Sequence, residues 1–116
     1  MNKPIPQKFA VFDIDGTIIR TSLFLQIVDE LIARGHLPVD ARSKLDQKWD
    51  AYYRRTHDSA FRDYELESVN VLFGNLAKIT ETQYKQAVDT VTENMKGVTY
   101  TYTRDLFHKL KNQGYF

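Results

Sequence analysis

The chain has 116 residues, of which 42% are hydrophobic and 27% charged, and its formal net charge is +1 at pH 7. This composition is typical of a single soluble globular unit, and the balanced charge argues against nucleic acid as a partner. There is no cysteine, so disulfides and thiolate metal sites are excluded. No apolar run approaches the ~18 residues of a transmembrane helix, and residues 1–8 lack the apolar region of a signal peptide. We therefore expect a cytoplasmic protein without a membrane partner.

The N-terminal segment Met1–Gln7 is predicted to be an extended lead-in, and the apolar run Phe9–Phe12 that follows it predicts a strand. A strand without a polar face is typical of the buried centre of a parallel sheet covered by helices. The run leads into Asp13 and Asp15, and residues two apart on a strand point the same way. Both carboxylates are therefore expected in one small volume at the end of the strand, where Gly16 allows a sharp turn. Because two close carboxylates repel each other, they need a shared cation or proton.

Helical periodicity covers most of the remaining chain, and glycines, prolines and polar cap residues divide it into five predicted helices. The predicted helical stretches are one from Thr21 or Ser22 to Gly35, two between Pro38 and Gly74, one from Thr80 to Gly97, and one from Thr103 to Gln113. The two central helices are expected to separate near Thr56, with Asp58 or Ser59 capping the second. The stretch from Thr80 to Gln83 has the capping-box pattern, in which each of these side chains bonds the backbone of the other residue.

Two stretches near the C-terminus predict extended backbone. Val98–Tyr102 alternates as a short strand does, and Tyr115 and Phe116 resemble the first residues of another strand after a helix stop at Gly114. A single complete strand cannot satisfy its own backbone hydrogen bonds, which need a neighbour. The predicted elements therefore describe a mostly helical chain with one core strand that lacks a complete partner.

The motif Asp13-Ile14-Asp15-Gly16-Thr17 after an apolar strand resembles the first motif of the haloacid dehalogenase superfamily, whose members are mostly phosphatases. The resemblance implies that Asp13 is the nucleophile that forms an aspartyl-phosphate and that Asp15 is the general acid/base. It implies that Mg²⁺ is held by the Asp13 carboxylate, by the main-chain carbonyl of Asp15 and by a later acidic residue. Gly16, Thr17 and Arg20 are the expected substrate-binding residues, and Thr17 is expected to hydrogen-bond near Asp15. Carboxylates suit these roles, since one can attack phosphorus and the other can protonate the leaving alkoxide.

The resemblance covers the whole chain and is to the phosphoserine-phosphatase-like branch, in which a helical cap follows the first strand. It implies an α/β HAD-like, Rossmann-like core in the complete protein. Residues 1–19 would be the first core strand and catalytic loop, 20–97 the helical-bundle cap, and 98–116 the returning helix and the start of a second strand. The remaining family motifs would lie beyond Phe116. We therefore expect an inactive N-terminal portion that self-associates or pairs with the missing C-terminal half.

Several functional interpretations remain open beside a phosphatase of a small phosphorylated metabolite. A phosphotransferase would use the same aspartyl-phosphate, and a non-catalytic helical interaction module would keep the aspartates as a relic or weak cation site. A calcium loop is excluded because alignment on Gly16 puts Val11 and Ser22 where acidic ligands are required. Family members specific for phosphoserine carry a glutamate early in the cap, whereas this chain has Ser22 and no acid before Asp29. This departure argues against phosphoserine as the substrate.

One aromatic and basic cluster invites a second functional interpretation. It is formed by Trp49, Tyr52, Tyr53, Arg54, Arg55 and Arg62. Such residues can contact the leaving group of a substrate, but their helical spacing is more typical of packing between cap helices with a solvated charged face.

Overall fold

The structure is a computed structural model that describes residues 7–116, in which helices predominate. The helices are α1 Leu23–Ala33, α2 Ala41–Tyr53, α3 Ala60–Phe73, α4 Glu81–Met95 and α5 Thr101–Asn112, with a 3₁₀ turn at Leu76–Lys78. The mostly helical character expected of this chain is confirmed. The predicted lead-in lies outside the described residues except for Gln7. Of the helices in the described range, none combines the length and apolar character needed to cross a bilayer.

The chain divides into two compact units. Unit 1 consists of the N-terminal segment up to Ser22 together with Met95–Phe116, and unit 2 consists of Leu23–Asn94. The motif that carries the two aspartates therefore belongs to unit 1, and the helices from α1 to α4 make up most of unit 2.

Unit 2 is organised around a continuous apolar core to which its helices contribute one face each. The buried members of this core are Leu25, Val28, Leu31, Leu37, Ala41, Leu45, Tyr64, Val71, Leu72 and Ala87. Leu31 of α1 and Ala87 of α4 are completely buried. Burying a side chain of leucine size stabilises a fold by about 1.5–3 kcal/mol, so this core is the main source of stability in unit 2.

Two helix N-termini of unit 2, those of α4 and α3, test the predicted capping residues. The capping box is confirmed, because the Gln83 N–H donates to Thr80 Oγ1 at 3.2 Å and the Thr80 N–H donates to Gln83 Oε1 at 2.9 Å. Ser59 occupies the N-cap position of α3, as predicted, but its side chain makes no cap hydrogen bond. Its backbone, with φ −89° and ψ 8°, is not in the extended conformation from which an N-cap side chain reaches the helix.

The segment Phe9–Phe12, predicted as a strand, forms no regular strand in the structure, but two backbone hydrogen bonds at Lys8 and Ala10 join it to the end of the chain. The Phe116 N–H donates to the Lys8 carbonyl at 2.9 Å, and the Ala10 N–H donates to the Phe116 carbonyl at 3.0 Å. This is the hydrogen-bond pattern of neighbouring parallel strands, and it places extended backbone at Phe116, as predicted. The ring of Phe12 contacts Phe107 of α5, with 5.9 Å between centroids.

The prediction that Phe9–Phe12 is buried on both faces is wrong for this structure. The side chains of Phe9 and Val11 are 71% and 86% exposed. A central strand becomes buried only when further strands and helices cover it, and the backbone pairing found for this segment in the described range is with Phe116.

The extended stretch predicted at Val98–Tyr102 is shorter than expected. Isolated bridges join Ile19 to Thr99 and Asp15 to Ile19. The Tyr100 N–H donates to the Ile18 carbonyl at 2.9 Å, and the Arg20 N–H donates to the Val98 carbonyl at 3.2 Å. The predicted last helix begins two residues early, at Thr101, because the Tyr100 carbonyl already accepts the N–H of Arg104 at 3.0 Å.

Candidate active site

The motif of unit 1 winds into a tight loop around a single carbonyl group. The carbonyl oxygen of Ile14 accepts hydrogen bonds from the N–H groups of Thr17, Ile18 and Ile19 at 3.0–3.2 Å. Gly16 adopts a φ of +73°, a left-handed conformation that glycine takes without a steric cost. The chain therefore reverses direction directly after Asp15, and the local sequence explains why it can do so.

Each of the two aspartates accepts a hydrogen bond from the hydroxyl group of a different residue. Thr17 Oγ1 donates to Asp13 Oδ2 at 3.1 Å, and Ser22 Oγ donates to Asp15 Oδ2 at 3.0 Å. The expectation that Thr17 bonds near Asp15 is therefore wrong, because the loop turns the threonine back toward the first aspartate.

The hydrogen bond from Ser22 to Asp15 was not predicted from the sequence. The sequence predicts Thr21 or Ser22 as the cap of α1, and the structure shows in addition that the Ser22 hydroxyl donates to Asp15, seven positions earlier. A serine directly before a helix gives a strong local capping signal, whereas its approach to Asp15 depends on the path of the intervening loop. That path is fixed by the Gly16 N–H, which donates to the Thr21 carbonyl at 3.2 Å.

The candidate site is open to solvent. Asp13, Asp15, Gly16 and Arg20 are exposed, whereas Thr17 is half-buried. Both carboxylates can therefore be reached from solvent.

Arg20 lies on the segment that pairs with Val98–Tyr100. Its guanidinium carbon lies 6.0 Å from the centroid of the Tyr100 ring, a cation–π distance. This contact gives Arg20 a partner within unit 1, beside its predicted role in binding substrate.

The oxygen atoms of the two aspartates are ligands of the kind that Mg²⁺ requires. Magnesium prefers hard oxygen ligands in octahedral geometry, keeps several waters and needs few protein ligands. Asp13 and Asp15 supply oxygens of that kind, so the motif fits Mg²⁺ in its chemistry. Among the described residues no three histidine, aspartate or glutamate side chains come together as a metal site. A third acidic ligand is therefore not supplied by residues 7–116.

Basic residues outnumber acidic ones in the described part of unit 1. The basic ones are Lys8, Arg20, Lys96, Arg104, Lys109 and Lys111, and the acidic ones are Asp13, Asp15 and Asp105. An excess of positive charge favours the approach of an anionic ligand.

The aromatic cluster of unit 2 is used mainly for packing between α2 and α3. The Trp49 ring makes edge contacts with Tyr52 and Tyr64, with centroids 5.5 Å and 5.4 Å apart, and Tyr52 lies 5.0 Å from Phe61. Arg54 pairs with Asp50 of its own helix at 2.9 Å. These contacts agree with the packing interpretation of the cluster.

Comparison with protein-family models, with curated proteins and with solved structures gave no match. The resemblance to the haloacid dehalogenase superfamily therefore depends on the motif residues of the sequence.

Proposed function

We propose that the complete protein is a cytoplasmic Mg²⁺-dependent phosphatase of the haloacid dehalogenase superfamily that acts on a small phosphate monoester. In this proposal the core is α/β and HAD-like, unit 1 contributes its first strand and catalytic loop, and unit 2 is a helical cap. The observation that carries the proposal is the paired aspartate loop, in which two exposed carboxylates one residue apart each accept a hydroxyl hydrogen bond.

In the first step Asp13 attacks phosphorus. Because Thr17 donates to Oδ2, we assign the attack to Oδ1 of Asp13. A bond forms between this oxygen and phosphorus while the bond between phosphorus and the leaving oxygen breaks. Asp15, in its protonated form, gives its proton to that oxygen.

In the second step a water molecule attacks the aspartyl-phosphate. Asp15 now accepts a proton from the water, and the bond between Asp13 and phosphorus breaks, which releases inorganic phosphate and restores both carboxyl groups. When bound, Mg²⁺ would be held by the Asp13 carboxylate and the Asp15 carbonyl and would offset the charge of the phosphate. Gly16 and Thr17 would line the bound phosphoryl group, and Arg20 would contribute positive charge.

The proposal is tested by phosphate release from a panel of small phosphate monoesters. The complete gene product should release phosphate in the presence of Mg²⁺, and Asp13→Asn should reduce turnover to background. Asp58→Asn, which changes a carboxylate outside the loop, is the matched control and should leave turnover unchanged. The 116-residue chain alone should be inactive, because its described residues do not provide a third acidic metal ligand.

A second candidate is a non-catalytic interaction module. The observation in its favour is the exposed apolar segment Phe9–Phe12, in which Val11 is 86% exposed. Binding of a partner by a complete gene product that releases no phosphate would favour this candidate.

A further inference from the structure

Ser22 lies next to the proposed general acid/base because two hydrogen bonds close the loop between them. The Gly16 N–H donates to the Thr21 carbonyl at 3.2 Å, and Ser22 Oγ donates to Asp15 Oδ2 at 3.0 Å. The backbone bond brings the neighbours of both residues together, so the side-chain bond follows from the course of the chain. We propose that Ser22 is a positioning residue that holds the carboxyl group of Asp15 in one orientation. The restraint of the Asp15 side chain by Ser22 does not depend on the proposed function, whereas its expected effect on the kinetics rests on that function.

The need for such a residue follows from the exposure of Asp15. The χ1 rotamer of an exposed aspartate depends on the hydrogen bonds that its carboxylate accepts, and Ser22 provides one of them. A general acid must present its proton within hydrogen-bond distance of the leaving oxygen, so rotation lowers the fraction of productive encounters. The Ser22 hydroxyl restricts that rotation from the carboxyl end of the side chain, as Thr17 does for Asp13.

Substrates whose leaving groups differ in basicity distinguish a loss of acid positioning from a general loss of activity. An alkoxide leaves slowly unless it is protonated as the phosphorus–oxygen bond breaks, whereas 4-nitrophenolate leaves without a proton. The value of kcat/KM reports the step in which the leaving group departs. Loss of Ser22 should therefore lower kcat/KM for an alkyl phosphate more than for 4-nitrophenyl phosphate.

The first measurement does not require activity. Nuclear magnetic resonance couplings between Hα and the two Hβ atoms of Asp15 report its χ1 rotamer. The wild-type chain should show the pair of couplings of a single rotamer, and in Ser22→Ala both couplings should move toward the rotamer average. Ser22→Thr retains a hydroxyl and should keep the wild-type values. Thr21→Ala removes the neighbouring hydroxyl and is the matched control. Unchanged Asp15 couplings in Ser22→Ala would overturn the proposal.

The second measurement compares the two substrates in the complete gene product. Ser22→Ala should lower kcat/KM for ethyl phosphate by up to about tenfold, the effect of one hydrogen bond, with a smaller loss for 4-nitrophenyl phosphate. Ser22→Thr should restore the ratio, and Thr21→Ala should not alter it. Equal losses on both substrates would contradict a positioning role. A wild-type protein that releases phosphate from neither substrate would refute the proposed function, while the couplings would still decide the role of Ser22.

Discussion

Thr17 donates a 3.1 Å hydrogen bond to Asp13, four residues before it, because the loop between them winds around the carbonyl of Ile14. The bond occupies one oxygen of the proposed nucleophile and leaves the other to attack. It also means that the glycine and the threonine of the motif have separate tasks. Gly16 permits the turn, and Thr17 uses the turn to hold the carboxylate.

The first prediction concerns this contact. Thr17→Val keeps the shape of the side chain but removes the donor, so the Asp13 carboxylate should lose its fixed orientation. We expect kcat/KM in the complete gene product to fall by about tenfold, the effect of one hydrogen bond to a charged group. Thr17→Ser keeps the hydroxyl and should retain most of the activity. Equal activity of the valine and serine variants would show that the bond does not matter for catalysis.

A second prediction concerns the capping box of α4. Thr80→Ala removes the hydroxyl that accepts the Gln83 N–H and should lower the free energy of unfolding by about 1 kcal/mol. Urea denaturation followed by circular dichroism measures this difference. Thr82→Ala changes an exposed threonine in the first turn of the same helix and serves as the control. A Thr80→Ala variant as stable as the control would mean that the capping box does not contribute to the free energy of unfolding.

The pH dependence of stability provides a third prediction. Burial raises the pKa of Tyr64 above its ordinary value of 10.0, and the charge of Asp29 adds to the effect. The folded state therefore holds the phenol proton more tightly than the unfolded state does. The resulting stability is complete below pH 10 and is lost as the pH rises through the raised pKa.

Tyr64→Phe has no phenol proton, so its stability should fall less than that of the wild type between pH 9.5 and 11.5, a range set about the ordinary tyrosine pKa. Urea titrations at several pH values in this window measure the difference. Tyr53, which is 76% exposed, provides the matched control variant Tyr53→Phe. If the free energies of unfolding of Tyr64→Phe and of the wild type changed in parallel with pH throughout this window, the burial of the phenol would have no effect on the pH dependence of stability.

A fourth prediction concerns the exposed apolar segment Phe9–Phe12. Val11 is 86% exposed in an apolar segment whose described backbone pairing is with Phe116, and open apolar segments that can pair as strands associate between molecules. We expect the 116-residue chain to self-associate as its concentration rises, and Val11→Lys to suppress the association. Light scattering over a concentration series measures the mass. Val39→Lys, at a 99% exposed valine in unit 2, should leave the association unchanged. A wild-type chain that stayed monomeric throughout would contradict this prediction.

The helices could be predicted from sequence because their signals are local. The capping box at Thr80 lies within four residues, and the apolar spacing of α1 shows which residues face a core. Ser59 shows the limit of such signals, since its residue type favours a cap but its backbone conformation prevents the bond.

The candidate site was predicted less completely because its contacts depend on the course of the loop. The motif identified Asp13 and Asp15, but the partner of Thr17 follows from the winding around Ile14, and the contact of Ser22 spans seven residues. Burial of Phe9–Phe12 could not be predicted from composition, because burial depends on what covers a strand and not on the apolar character of the strand itself.

The fifth prediction tests the central claim, that Asp13 becomes covalently phosphorylated. The complete gene product, mixed with substrate and Mg²⁺ and quenched in acid, should carry one phosphoryl group on the peptide that contains Asp13, as measured by mass spectrometry. Asp15→Asn should increase the amount trapped, because hydrolysis of the intermediate needs the base, and Asp13→Asn should abolish it. Phosphate release without phosphorylated Asp13, or a phosphoryl group on another residue, would contradict the mechanism.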